Sequence, residues 1–156
     1  MKLAEIEDAL LDTVKTATAL NYLRTVETIS ERNFDFARGD FVVVPPAVLS
    51  FFVASEVSTR DLQRQTYSYN PRFLFFAVAR NLRGVAEEKK GGPGASEVGA
   101  YQILHDLKTT LAGKRLALAS SPAAPVCELA GEALEAFTAD FSVYALDLIV
   151  RGTFHV

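Results

Sequence analysis

Residues 96–113 place the strongest constraint on how this chain can fold. Their apolar side chains recur at three- and four-residue steps, the period of an amphipathic helix: Val98, Tyr101, Leu104, Leu107 and Leu111. Ser96 is suited to cap the start of such a helix, and Gly113 is suited to end it in a left-handed conformation. The pattern predicts a helix over about residues 97–112.

The same period divides the side chains of this helix into two sets. We expect Tyr101, Leu104 and Leu107 to lie in the core. The polar positions are expected to face solvent or a neighbouring subunit: Gln102, His105, Asp106 and Lys108.

Outside this helix, most patterned segments are typical of strands. Residues 2–16 are the exception, because their apolar positions predict a second amphipathic helix. Strands are predicted at residues 22–30, 47–53, 72–80 and 141–150, with a further short one at 115–119. Residues 126–137 suit either a helix interrupted by Gly131 or a hairpin partner of the final strand. The order predicts an α+β fold, an antiparallel or mixed β-sheet with both helices packed on one face.

Two segments are expected to connect these elements. Residues 59–69 are polar and β-prone, which predicts a long exposed edge or a hairpin arm. Residues 84–96 contain three glycines and a proline within four positions, which predicts a flexible loop. A chain of 156 residues is expected to form a single domain over 1–156.

Several polar and aromatic side chains in the predicted strands need an explanation. Asp147 is the one charge in the final strand, and we expect it to face solvent on the same side as Arg151. Arg72 and Arg80 stand at the two ends of their strand and are expected to reach solvent. The aromatic residues of the less patterned flanks are candidates for a protein interface: Tyr67, Tyr69 and Phe154.

Composition excludes several functional classes. The single Cys127 rules out an internal disulfide and a multi-cysteine zinc site, and we expect it to be a small buried hydrophobe. His105 and His155 are too far apart in sequence to argue for a metal site. A net charge of −3 disfavours a general nucleic-acid binder. The chain has neither a secretory signal nor a membrane-length apolar run, so we expect synthesis in a cytoplasm and no membrane partner.

The glycines before the central helix do not match known chemical motifs. Glu97 stands where a dinucleotide-binding fingerprint needs its third glycine, and its charge would repel a pyrophosphate. Lys89 and Lys90 precede the glycines, whereas a phosphate-binding P-loop needs its lysine after them. Residues 94–98 miss the nucleophile elbow at their last position. We therefore predict no catalytic, cofactor-binding or metal-binding residues, and no enzyme.

Five segments together resemble a known family. They are AEIEDALL at the start, YLRTVETI, ARNLRG at residues 79–84, EVGAYQILHDLKTTLAG at 97–113, and FSVYALDLIV near the end. These segments are similar to the Mu-like phage and prophage tail protein family encoded just upstream of the tail sheath genes. The likeness covers most of the chain but leaves out residues 31–70. The family is similar to phage tail terminator proteins and has no catalytic motif.

The resemblance implies a structural virion protein of a contractile tail, synthesised in the bacterial host cytoplasm. Its copies would form a ring, a hexamer, that terminates the tail tube and joins it to the neck. Its partners would be other copies of itself, the tail tube or sheath, and head–tail connector proteins, with DNA only as passing cargo. The acidic balance suits a lumen through which DNA slides. A lumen lined by Arg60, Arg64, Arg72 and Arg80 would contradict that hypothesis.

Ring assembly needs head-to-tail contacts between different faces of one subunit. The arm at residues 59–69 and the loop at 84–96 are the candidate carriers, through strand addition or ordering on assembly. Two alternatives stay open. One is a head-side connector or neck adaptor, and the other is a small cytoplasmic ligand-binding or enzymatic domain with its site spread over loops.

Overall fold

A mixed β-sheet with two helices forms the part of the chain that the computed structural model describes, residues 2–35, 37–61, 63, 65–80, 98–121, 123–137 and 141–155. The helices are α1 (Leu3–Thr16), followed by a 3-10 turn, and α2 (Ala100–Leu111). The strands are β1 (Thr25–Thr28), β2 (Phe34–Asp35), β3 (Asp40–Phe41), β4 (Ala47–Asp61), β5 (Thr66–Arg80), β6 (Val126–Phe137) and β7 (Phe141–His155).

The main sheet has five strands in the order β1-β4-β5-β7-β6. Strand β1 is parallel to β4, and each of the other neighbouring pairs is antiparallel. Strands β2 and β3 form a separate two-stranded sheet. The predicted α+β class with a mixed sheet is confirmed.

Both helices pack on the same face of this sheet, as predicted. The apolar stripe of α1 meets alternate residues of the central strands, which point to one face because the side-chain period of a strand is two. The shared core includes Ile6, Leu10 and Val14 of α1, Ile103 and Leu107 of α2, and Val48, Phe73, Phe75, Leu146 and Leu148 of the strands. Part of the opposite face is covered by Phe41 and Val43, which pack against Val78 and Val143.

A polar contact fixes α1 over the first two strands of the sheet. Ser50 is fully buried in β4, and its hydroxyl donates to Glu7 Oε1 at 2.8 Å. The Thr28 hydroxyl donates to the same oxygen at 2.9 Å. A buried hydroxyl needs such a partner, so this contact sets the position of α1 on the strands.

Helix α2 differs from the prediction at its start and in its buried face. It begins at Ala100 and not near residue 97, while Ser96 and the loop at 84–96 lie outside the described residues. Gly113 has φ +69°, which confirms it as the glycine that ends the helix. Tyr101 is 43% exposed, so its placement in the core was wrong. The buried stripe of α2 includes Ile103, and Tyr101 lies at the border of that stripe. The Tyr101 and Tyr144 ring centroids are 5.1 Å apart.

Asp106 is also a correction, because it is buried and does not face solvent. Its carboxylate accepts hydrogen bonds from the Tyr22 hydroxyl and from Gln102 Nε2, both at 2.8 Å. Burial, together with the bond to Asp106, raises the pKa of Tyr22. Asp106 lies beside the apolar stripe of α2, on the side where the segment that follows α1 crosses α2.

The ambiguous residues 126–137 form a strand, β6, which pairs antiparallel with β7. Gly131 lies at a register shift within this pairing. The prediction of a strand at 115–119 was wrong, because this segment makes only two isolated bridges, from Arg115 to Val126 and from Leu118 to Ser121. Strand β1 is shorter than predicted, whereas β4, β5 and β7 extend well beyond their predicted ends.

Candidate assembly surface

Strand β4 continues far beyond the part of the sheet that the helices cover. Its first four residues pair with β1, and that pairing ends at Thr28 and Ser50. From there to Asp61, no other described strand pairs with the outer side of β4. Residues 53–60 are all exposed. Among the described residues, residues 51–60 therefore present a free edge of backbone N–H and C=O groups, which is a template for adding another strand.

We call residues 53–61 of β4 and 66–72 of β5 the arm. Its tip contains residues 59–69, so the predicted hairpin arm is confirmed. Strand β7 backs the arm on its other side, with pairing that extends to Thr66 and His155. The arm and the part of β7 that pairs with it thus form a three-stranded extension of the sheet, which has one open edge among the described strands.

Aromatic side chains stiffen the arm on its helix-facing side. The Tyr67 and Phe154 rings stack with their centroids 5.2 Å apart, and the Tyr69 ring meets Phe154 edge-on at 6.0 Å. Cross-strand aromatic pairs of this kind stabilise sheets. The three residues predicted as interface candidates are therefore in contact with one another, and their role in an interface stays a prediction.

The free edge also carries exposed apolar side chains. Phe51, Val53 and Val57 are each more than two-fifths exposed. Register shifts occur between Phe52 and Ala54 and between Thr59 and Asp61. Exposed apolar residues on an unpaired edge are typical of an interaction site.

Charged residues cross the face of the sheet opposite the helices. Arg72 Nε donates to Asp147 Oδ1 at 2.8 Å and to Oδ2 at 3.1 Å, and its Nη2 also contacts Oδ2. Arg151 Nη2 donates to Glu128 Oε1 at 3.0 Å, and its Nε donates to Oε2. We call these four residues together with Glu56 the charged row.

The charged row holds its arginines against carboxylates. The bond to Asp147 raises the pKa of Arg72, the bond to Glu128 raises the pKa of Arg151, and the charge of Glu56 adds to both. Arg151 in turn lowers the pKa of Glu128. Two arginines face three acids, so the row is nearly neutral, with a formal charge of −1.

Asp147 lies on the Arg151 face of β7, as predicted from strand alternation. Its partner, Arg72, was not predicted, because the two residues are 75 positions apart. The Asp147 side chain is 15% exposed, against 50% for Arg72. The arginine therefore covers the acid and leaves its own outer side in water.

The second edge of the sheet is β6, which pairs with β7 and with no other strand among the described residues. Glu128, Ala130 and Glu132 are exposed along it. Lys108 of α2 reaches this edge through a 2.9 Å ion pair with Glu132. A groove of about 330 Å³ lies between α2 and β6, with Tyr101 and Tyr144 in its lining.

The described residues form no evident reaction centre. Cys127 is 1% exposed, and burial raises its pKa to about 12, so its thiol is a core side chain, as predicted. His105 is exposed on α2. No cluster of three or more histidine, cysteine or acidic residues is placed to hold a metal in the described ranges. The glycine-rich segment weighed above as a phosphate site lies outside them.

No described helix has the length and apolar content to cross a membrane.

Comparison with known proteins places the chain in one family. A comparison with curated proteins finds no match. A family model described as Bacteriophage Mu, Gp37 matches residues 2–153. That match includes residues 31–70, which the resemblance had left out. The chain therefore belongs to the Gp37 family of bacteriophage Mu, a family of Mu-like phage proteins.

Proposed function

We propose that the protein is a structural subunit of a phage contractile tail. Its copies form a ring, a hexamer, that terminates the tail tube and joins it to the neck. Membership of a Mu-like phage family supports a virion protein. The observation that carries the proposal is the free edge of β4 beyond Ser50.

A ring subunit needs two different contact surfaces, one for each neighbour. Among the described residues, the sheet offers two open edge segments on opposite sides, the arm and β6 beyond Cys127, whose own N–H and C=O bond to Lys114 and Gly113. Edge strands bind partners through main-chain hydrogen bonds, so they suit repeated contacts between identical subunits. The same edges, or the groove beside α2, are available to the tail tube and to connector proteins.

The charged row supports a passage through which DNA moves without binding. Free cationic side chains bind phosphates, and their affinity depends on the number of phosphates they neutralise. Arg72 and Arg151 are already held by Asp147 and Glu128. A lumen lined instead by Arg60 and Arg80 would contradict this part of the proposal.

The test is to measure the mass of the protein in solution, alone and with a tail-tube protein from the same genome. Electron microscopy of the mixture shows whether tube ends are capped. We expect rings, either of the protein alone or on tube ends, and tubes that stop growing once they are capped.

A protein that neither forms multimers nor caps tubes would contradict the proposal. Binding to portal-associated proteins, with no effect on tubes, would favour the head-side connector. A monomer that caps tubes agrees with the proposal, because the tube end then acts as the template for the ring.

A further inference from the structure

We infer that neighbouring copies join edge to edge, with the free edge of β4 in one copy paired antiparallel to β6 of the next. The inference rests on the proposed ring and specifies its subunit contact. The occupant of the free edge is thus a second copy of this chain.

The strand directions suit an antiparallel contact between β4 and β6 of neighbouring copies. Strands β4, β5, β7 and β6 are joined by three antiparallel pairings, so β4 and β6 run in opposite directions within one copy. Rotation about a ring axis along the strands preserves every strand direction. The β6 strand of the next copy therefore arrives antiparallel to β4, the more stable and more common pairing.

The two edges also lie at the same height in the sheet. Ala54 is level with Arg72, then Ile149, then Glu128 across the four strands. Phe51 is likewise level with Leu74, Asp147 and Gly131.

At equal height residues 51–54 would face residues 128–131, but residues 132–137 would then overlap β1, which lies beside residues 47–50. A tilt of the strands, as in barrels, moves β6 further out along the arm and away from β1.

This junction keeps the two faces of the sheet consistent around the ring. Because β6 of one copy extends β4 of the next in the same sheet, both helices of every copy lie on one side. The charged row of each copy lies on the other side and continues from one copy to the next. The exposed Val53 and Val57 side chains become covered at the junction, which removes apolar surface from water.

Strand β1 is the competing edge, since it is the outermost strand beside β4. It offers only four residues, whereas β4 has 15 and uses four of them to pair with β1. The remaining edge of β4 is therefore the longer one.

Disulfide cross-linking tests the contact directly. Val57→Cys and Ala130→Cys, which the tilted register brings side by side, are introduced together in the full chain, and Cys127 stays in place because its thiol is buried. We expect oxidation of assembled rings to give a ladder of covalent oligomers on a non-reducing gel. Each single variant is expected to stay monomeric on the same gel. The matched control pair is Glu27→Cys with Ala130→Cys, which tests β1 in place of β4.

Rings that form normally but cross-link through Glu27→Cys, or through neither pair, would overturn the contact and leave the proposed function intact. If wild-type protein forms no rings and caps no tubes, both the proposed function and the proposed contact are contradicted.

A lysine on the free edge gives an independent test, because an edge lysine opposes strand addition. Val57 and Val42 are similarly exposed, at 56% and 61%, but Val42 lies outside the arm. We expect Val57→Lys to raise the concentration needed for half assembly by about tenfold or more, with an unchanged melting temperature. Val42→Lys is expected to assemble as wild type. Equal assembly by the two variants would contradict the inference.

Discussion

The helix-covered part of the sheet and the arm share long strands that run through both regions, yet they face different surroundings. In the covered part, Val48, Phe73 and Leu148 are completely buried beneath α1 and α2. In the arm, the same β4 strand is exposed at every position from 53 to 60. Pairing between β4 and β5 continues through both regions, so the backbone is equally organised.

This difference separates stability from recognition. The covered part loses apolar surface to a core, which is the main stabilising contribution to folding. The arm contributes little to that core and is held in shape by strand pairing and the Tyr67–Phe154 stack. We therefore expect changes in the covered part to alter unfolding, and changes on the free edge to alter assembly.

Thiol reactivity gives the largest expected contrast between the two regions. Burial raises the pKa of Cys127 to about 12, so its reactive thiolate is far less populated than that of an exposed cysteine, and the buried thiol is also out of reach of a reagent. In monomeric protein near pH 8, we expect a Val57→Cys thiol to react with a disulfide reagent on the order of 100-fold faster than Cys127, or more. Similar rates would show that the covered part opens as readily as the arm.

Truncation of a core side chain should give the next largest contrast, in the free energy of unfolding. Leu107→Ala removes a fully buried side chain beneath α2 and is expected to lower the free energy of unfolding by about 2–5 kcal/mol. Val57→Ala, on the free edge, is expected to change it by less than about 0.5 kcal/mol. Urea unfolding measures both variants. Comparable losses would remove the distinction between the regions.

The buried hydrogen bond between α2 and Tyr22 should have an intermediate effect. Tyr22→Phe takes one donor from the buried Asp106 carboxylate, with an expected loss of about 1–3 kcal/mol in the free energy of unfolding. Tyr67→Phe removes the same atom from the arm and serves as the matched control. An equal effect of the two changes would mean that the Asp106 contact is not a separate source of stability.

The exposed ion pair of the charged row should give the smallest effect. Because Arg151 lowers the pKa of Glu128, the carboxylate stabilises the fold above the ordinary carboxyl pKa, and this contribution is lost as pH falls through the lowered value. Glu128→Gln should therefore melt slightly below wild type at pH 7. The two should converge below about pH 4. Asp12→Asn, exposed on α1, is the control, and a gap that widens in acid would contradict the sign.

Local periodicity was enough to predict the fold class. The stripes of α1 and α2 and the apolar runs of β4, β5 and β7 are each encoded within a few neighbouring residues. Residues 126–137 stayed ambiguous because their pattern suits two structures. Pairing with β7, which no local pattern reveals, decided between them.

The features of the candidate surface were harder to predict from the sequence, because they depend on contacts between distant parts of the chain. A polar arm at residues 59–69 was predictable, but its free edge follows from the short length of β1. The Arg72–Asp147 pair requires the register of β5 and β7. Asp106 was placed in solvent because its partner, Tyr22, lies 84 residues away.

The separation between β5 and β7 has a consequence for biosynthesis. Asp147 is translated 75 residues after Arg72, which takes about 4–15 s at ordinary elongation rates. During that interval the apolar β5 strand lacks its β7 partner, and the β4–β5 hairpin is open along β5 and along β4 beyond the residues that pair with β1. Nascent chains on neighbouring ribosomes are then exposed to mispairing. Slower synthesis at lower temperature, or a chaperone that shields β5, should raise the yield of folded protein.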